Sequence, residues 1–195
     1  MTIRRYLAFI AVTGALVSLA PSAEGQVFTP SYMAPRPAAD VGVYLSDGPG
    51  SFAVEGIWRM RQGSFDLGLR GGIADTNDLS ILLGGELRNR IAVDAPLDLA
   101  VTGAVQGLIN TDGRSGVGFG GGLTIGHTFD GGDIAITPYL HPRIALVSGF
   151  GDDDLDLELL ADFGLDVRLT PSLDLRFGFG FGDYTADWGV GFAWR

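Results

Sequence analysis

Residues 173–182 read LDLRFGFGFG. Leu173, Leu175, Phe177, Phe179 and Phe181 fall on one side of an extended chain, and Asp174, Arg176, Gly178, Gly180 and Gly182 on the other. A helix would scatter the same residues around its axis, whereas successive side chains of a strand point to opposite faces. The stretch predicts a strand with one bulky apolar face and one face that is charged or bare.

The same period of two runs from Asp40 to the end of the chain. In SFDLGLRGGI, Phe65, Leu67, Leu69 and Ile73 oppose Asp66, Gly68, Arg70 and Gly72. In LSILLGGELR, Leu79, Ile81, Leu83 and Leu87 oppose Ser80, Gly84, Glu86 and Arg88. The pattern predicts ten strands, at about 40–46, 51–60, 64–73, 79–88, 96–107, 116–129, 133–147, 154–169, 172–182 and 186–195. The seventh carries Pro138 and Pro142, which lack ladder donors and predict a bulge or a break. No helical stretch separates neighbours, so the sheet is expected to be antiparallel.

Two architectures bury such a pattern. A soluble barrel would turn its apolar face inward, and a membrane barrel would turn it toward lipid with the polar face lining the lumen. Glycine on the polar face favours the second, because a water-facing strand gains nothing from bare backbone and loses about 0.5–1 kcal/mol per glycine. A narrow lumen, in contrast, needs small residues to make room for large polar ones. Arg59, Arg70, Arg88, Arg143, Arg168 and Arg176 share the polar face with Glu55, Asp66, Glu86, Asp98, Glu158, Asp162, Asp166 and Asp174. Arg59, Asp66, Arg70, Glu86, Arg88, Arg143, Asp162 and Arg176 are the expected lumen charge network. Strands of about ten residues suit a tilted membrane crossing. The connections divide into inner turns (MRQGS, RNRIAVDAP, DGGD, TPS) and an acidic outer set (DGPG, ADTND, NTDGRSG, SGFGDDD, GDYTAD).

Composition narrows the classes further. The 195 residues include 31 glycines, 23 acidic residues against 13 arginines, and neither lysine nor cysteine. The absence of cysteine rules out disulfides, thiolate metal sites and a cysteine nucleophile. A net charge of −10 argues against nucleic acid as a partner. Residues 1–25 have the parts of a secretory leader: Arg4 and Arg5, an apolar core from Leu7 to Leu19, then small residues, with cleavage expected after Ala23 or Gly25. Its removal takes two positive charges and one negative, turning −10 into −11. Residues 26–39, QVFTPSYMAPRPAA, hold Pro30, Pro35 and Pro37 and read as an extended lead-in to a barrel over 40–195.

The leader, the alternating strands, the TPSLDLRFGFGFGD hairpin and the terminal VGFAWR together resemble the small bacterial outer-membrane β-barrels of the OmpA/OmpX-like group. That resemblance implies an antiparallel up-and-down barrel of about ten strands, eight being the alternative. It also implies insertion by the barrel assembly machinery, which reads the last strand. Here Trp188, Phe192 and Trp194 would carry the insertion signal, although Arg195 stands where such strands usually end in an aromatic residue. The expected partners are the lipid bilayer and lipopolysaccharide, and the expected state is monomeric.

Few residues suggest chemistry. His127 falls near a strand end on the apolar face, and His141 on the lumen face. Ser148 follows His141 by seven residues, about 23 Å along a strand, too far for a nucleophile and its base. A satisfied lumen histidine is the simpler reading, and neither a cofactor nor a catalytic residue is expected. Asp152, Asp153 and Asp154 form a carboxylate run able to attract Ca²⁺, without the spacing of an EF-hand. FGGGLTIG, at 119–126, lacks the ending of a phosphate loop. The function expected is a structural or surface-interaction barrel of the envelope. A narrow, cation-leaning pore and a barrel enzyme acting on lipid A or peptides are the alternatives.

Overall fold

The computed structural model describes residues 26–195 apart from 77–78, 112–114, 133 and 150–151. The leader lies outside them. The described residues form eleven strands and no helix: β1 (Asp40–Ser46), β2 (Phe52–Gln62), β3 (Phe65–Asp75), β4 (Leu79–Ile91), β5 (Asp98–Asn110), β6 (Gly116–Gly126), β7 (Phe129–Asp130), β8 (Ala135–Gly149), β9 (Asp152–Thr170), β10 (Leu173–Phe181) and β11 (Trp188–Trp194). All pairings between them are antiparallel. Each stave pairs with the next, β6 pairs with β8, and β1 closes the ring on β11, from Val41 opposite Trp194 to Ser46 opposite Gly189. Ten staves thus make a closed barrel with no free edge.

Two departures from strict alternation have physical causes. The sixth predicted strand is divided, because the chain leaves the ladder at His127 and Thr128 and resumes as the two-residue β7. There the His127 ring bonds the Pro96 carbonyl and meets Phe129 edge-on at 4.6 Å. The predicted bulge at Pro138 and Pro142 does not occur: β8 runs unbroken, pairing Pro138 with Leu165 and Pro142 with Ala161. The Pro138 carbonyl accepts from the His127 amide, so this residue's donorless nitrogen also faces the β6 side, as does that of Pro142 four residues on. The missing donors therefore fall on the β6 ladder, which skips the positions opposite His141 and Pro142.

The barrel has two rims. Asp40, Arg195 and the β2–β3, β4–β5 and β9–β10 turns lie at one, the C-terminal rim. The β1–β2, β3–β4 and β10–β11 connections lie at the other, the far rim. Outward, the wall is apolar: Val43, Leu69, Ile81, Val101, Ile144 and Leu159 are all exposed. Aromatic residues bound this belt. Trp58 and Trp194 flank Val41 in the ladder near the C-terminal rim, with Phe129 also exposed there, and Phe52, Phe181 and Trp188 stand near the far rim. Trp188 and Trp194 are six residues apart, about 20 Å along β11.

Inward, the barrel is packed solid. Residues 26–39 form neither helix nor strand, and they run through the lumen rather than outside it. Val27, Phe28, Tyr32 and Met33 are each at most 1% exposed. The segment pairs Phe28 with Thr185 at the far rim and reaches the C-terminal rim at Ala38 and Ala39, where β1 begins.

Candidate functional site

The lumen is where this fold gathers its chemistry, and it has two parts. Near the far rim the inward positions are apolar: Ala53, Ala74, Leu82, Leu108, Ala145, Val147 and Leu160 form a collar around Val27 and Phe28. The amides of Val27 and Phe28 donate to the Tyr184 carbonyl at 3.2 and 3.0 Å, and the Ala186 amide donates to the Phe28 carbonyl at 2.9 Å. The Phe28 ring also lies under the Arg143 guanidinium, 4.7 Å from its centroid.

Below the collar the lumen is ionic. Arg70 pairs with Glu55 at 2.6 Å, Arg143 with Asp162 at 3.0 Å, and Arg176 with Asp40 at 2.6 Å and Asp166 at 3.3 Å. Arg59 pairs with Glu86 and Asp40, and Arg88 with Asp66. All eight residues of the expected charge network are buried here, and the ladder explains how they meet. Asp66 stands opposite Arg88 across β3–β4, and Asp162 opposite His141 across β8–β9. The guanidiniums then reach inward to the N-terminal segment. Arg70 donates to the Thr29 hydroxyl at 2.6 Å and the Pro30 carbonyl at 3.3 Å, Arg59 to the Tyr32 carbonyl at 3.4 Å, and Arg88 to the Ala34 carbonyl. The Asp66 carboxylate accepts from the Ala38 amide at 2.7 Å. Pro30, Pro35 and Pro37 bring no backbone donor of their own into this space.

The lumen-facing glycines now have specific neighbours. A methyl group on Gly118 would overlap the Phe28 ring, on Gly189 the Tyr32 hydroxyl, on Gly191 the Tyr44 ring, and on Gly164 the Tyr139 ring. The Tyr32 and Tyr44 rings meet at a tilt of 31° with centroids 4.3 Å apart, and Tyr32 has a left-handed backbone, φ 47°, a strained choice for a residue with a side chain.

His141 is buried and fully engaged. Its Nδ1 lies 2.8 Å from the Ser31 hydroxyl and 3.2 Å from Asp162, and its Nε2 lies 2.7 Å from the Thr102 hydroxyl. Thr102, His141 and Asp162 thus stand in line like an acid–base relay. The cavity beside them, between Phe28, Arg70, Gln106 and Arg143, is only about 10 Å³, the space of one water. A substrate has no room there. Ser148 plays no part in this group. His141 and Asp162 could have been found from the β8–β9 hairpin register, but Ser31 and Thr102 could not, because they come from other segments.

The two rims differ. At the C-terminal rim, Asp98 takes Arg36 at 2.7 Å and Arg90 at 2.6 Å, and Asp174 takes Arg168 at 3.3 Å and Arg195 at 2.6 Å. Arg195, out of pattern for a terminal aromatic, therefore caps a lumen-facing carboxylate. At the far rim the Tyr184 hydroxyl donates to Asp156 at 2.6 Å, which pushes its pKa up to about 12. Burial raises the Asp47 and Asp187 carboxyls above their ordinary values. Asp152, Asp153 and Asp154 begin strand β9 rather than belonging wholly to a loop; their side chains are outside the described residues. Trp188, Phe192 and Trp194 share the outward face of β11.

No family model matches the chain, and none of the curated proteins does. Among solved structures, one described as a KdgM porin matches with 12% sequence identity and a TM-score of 0.45, over 80% of this chain and 97% of that chain.

Proposed function

We propose that this chain is an integral barrel of a Gram-negative-type outer membrane, with a structural or surface-interaction role, and that its own N-terminal segment closes its lumen. The observation that carries this reading is the inverted polarity of the wall. Leu69, Phe119, Ile144 and Leu159 are more than half exposed, while Arg59, Glu86, Arg88 and Asp162 are at most 5% exposed. In water that arrangement leaves a large apolar surface uncovered. In a bilayer the belt is covered by lipid, and the aromatic residues near the two rims fall at the interfaces.

In this reading the C-terminal rim faces the periplasm and the acidic far rim faces outward, toward lipopolysaccharide and its bridging cations. Trp188, Phe192 and Trp194 serve as the signal that the barrel assembly machinery reads. The test is fractionation followed by gel migration with and without boiling. The chain is expected in the outer-membrane fraction, resistant to alkaline extraction, with a clear heat shift of its band. Recovery in the soluble periplasm with no heat shift would overturn the reading.

A further inference from the structure

We propose a further activity for this barrel: its lumen is a cation-conducting pathway that residues 27–38 hold shut as a removable stopper. The inference rests on the membrane reading above, and four observations carry it.

The first is width. Ten staves stand close to the size at which side chains alone fill a barrel. Here they do not, because the bore also holds a peptide segment. Gly118, Gly178 and Gly189 face Phe28, Pro30 and Tyr32 with no side chain of their own. Withdrawal of the segment leaves a bore one peptide wide, enough for partly hydrated small ions.

The second is that the wall is complete without the segment. Each of the five buried arginines has a carboxylate on the wall itself: Arg59 with Glu86, Arg70 with Glu55, Arg88 with Asp66, Arg143 with Asp162, and Arg176 with Asp40 and Asp166. The segment adds hydroxyls, backbone carbonyls and the Ala38 amide to these pairs and supplies none of their charges; its own Arg36 pairs with Asp98, which keeps Arg90 on the wall. Its withdrawal strands no buried ion, and water can replace each lost bond. A segment essential to the wall would instead neutralise it.

The third is the nature of the grip. The chain has no cysteine, so the hold is entirely non-covalent. It rests on the collar around Val27 and Phe28, the far-rim bonds to Tyr184 and Ala186, the bonds from Arg59, Arg70, Arg88 and Asp66, the pair of the exposed Arg36 with Asp98, and the Tyr32–Tyr44 ring contact, where Tyr32 already carries backbone strain. Because residue 39 continues into β1 at the C-terminal rim, the freed segment stays tethered there and can return.

The fourth is charge. Each carboxylate buried in the lumen has an arginine partner, Asp98 and Asp174 taking Arg90, Arg168 and Arg195 at the C-terminal rim, so the bore itself is balanced, and the far mouth adds Asp47 and Asp187. An opened pathway is entered past this acidic mouth, which favours cations.

The test uses the mature chain and a variant lacking residues 27–38, each first shown to be folded by its heat shift and then recorded in planar bilayers. The full chain is expected to be silent. The shortened chain should give steady ohmic steps, with a reversal potential of cation-selective sign in a salt gradient, and a synthetic peptide of residues 26–38 should abolish them. Equal steps from the full chain, or silence from a heat-modifiable shortened chain, would overturn the stopper, and an anion-selective current would overturn the charge argument. Loss of the heat shift by the full chain itself would instead sink the membrane reading. Should the shortened chain fail to fold, the double variant F28A/Y32A decides: intermittent steps support the stopper and silence overturns it.

Discussion

The two halves of the lumen face the same N-terminal segment and hold it by opposite means. The collar near the far rim surrounds Val27 and Phe28 with Leu82, Leu108, Val147 and Leu160, and gains from apolar burial. The half nearer the C-terminal rim surrounds Thr29 to Ala38 with arginines that already have carboxylate partners. Apolar burial is non-directional, so the collar contributes affinity. Buried ion pairs gain little net energy but tolerate only one geometry, so the ionic half sets where the segment lies. A chain held in both ways is anchored at its tip and guided along its length.

The largest effect is expected from breaking the ionic half. Replacing Arg59 by Met leaves Asp40 to Arg176 and Glu86 with only the more distant Arg70, at 3.7 Å, and should lower the unfolding free energy by about 3 kcal/mol or more, read from urea unfolding in lipid vesicles. The double variant R59M/E86L should recover part of that loss; no recovery would mean that Arg59 acts through packing rather than charge. In the collar, Leu82→Ala should cost about 2–3 kcal/mol in the same assay, because a cavity opens beside Phe28 that the flexible segment can partly refill. A loss as large as that of R59M would erase the contrast between the halves.

At the boundary between them, Thr29→Val removes the hydroxyl that accepts from Arg70 and Gln106. It should cost about 1 kcal/mol, since Arg70 keeps Glu55. Tyr184 provides the smallest test, at the rim where the tip is anchored. Its pKa lies at about 12, above that of the unfolded chain, so the neutral phenol is the form that the fold favours. That contribution is complete below the unfolded value and fades as pH rises through the folded one. Comparing ultraviolet titrations of the two chains, Asp156→Asn should bring one late-ionising phenol back toward the ordinary value. An unshifted curve would remove the Tyr184–Asp156 bond from the account.

Much of the wall was legible because strand alternation is local. LDLRFGFGFG declares its two faces without reference to any other residue, and the close of β1 on β11 follows once a run of such strands must leave no edge. The division at His127–Thr128 was not legible, since Phe129 continues the alternation although the chain has already left the ladder. The collar was also obscured. The alternation that turns Ile81 and Leu83 outward also turns Leu82 inward, but nothing local to LSILLGG shows that Leu82 packs in a cluster with Val27 and Phe28.

By itself the sequence determined the period, the antiparallel pairing, the face that carries charge and the need for small residues opposite large ones. Those properties depend on residues a few positions apart. Only the tertiary structure decided what fills the space the glycines leave. Residues 26–39 show prolines, aromatics and a single charge, which suits a loose lead-in as well as a stopper. What distinguishes the two is contact with Gly118, Gly189, Arg70 and Tyr184, residues far away in the chain that meet only once the barrel has closed around them.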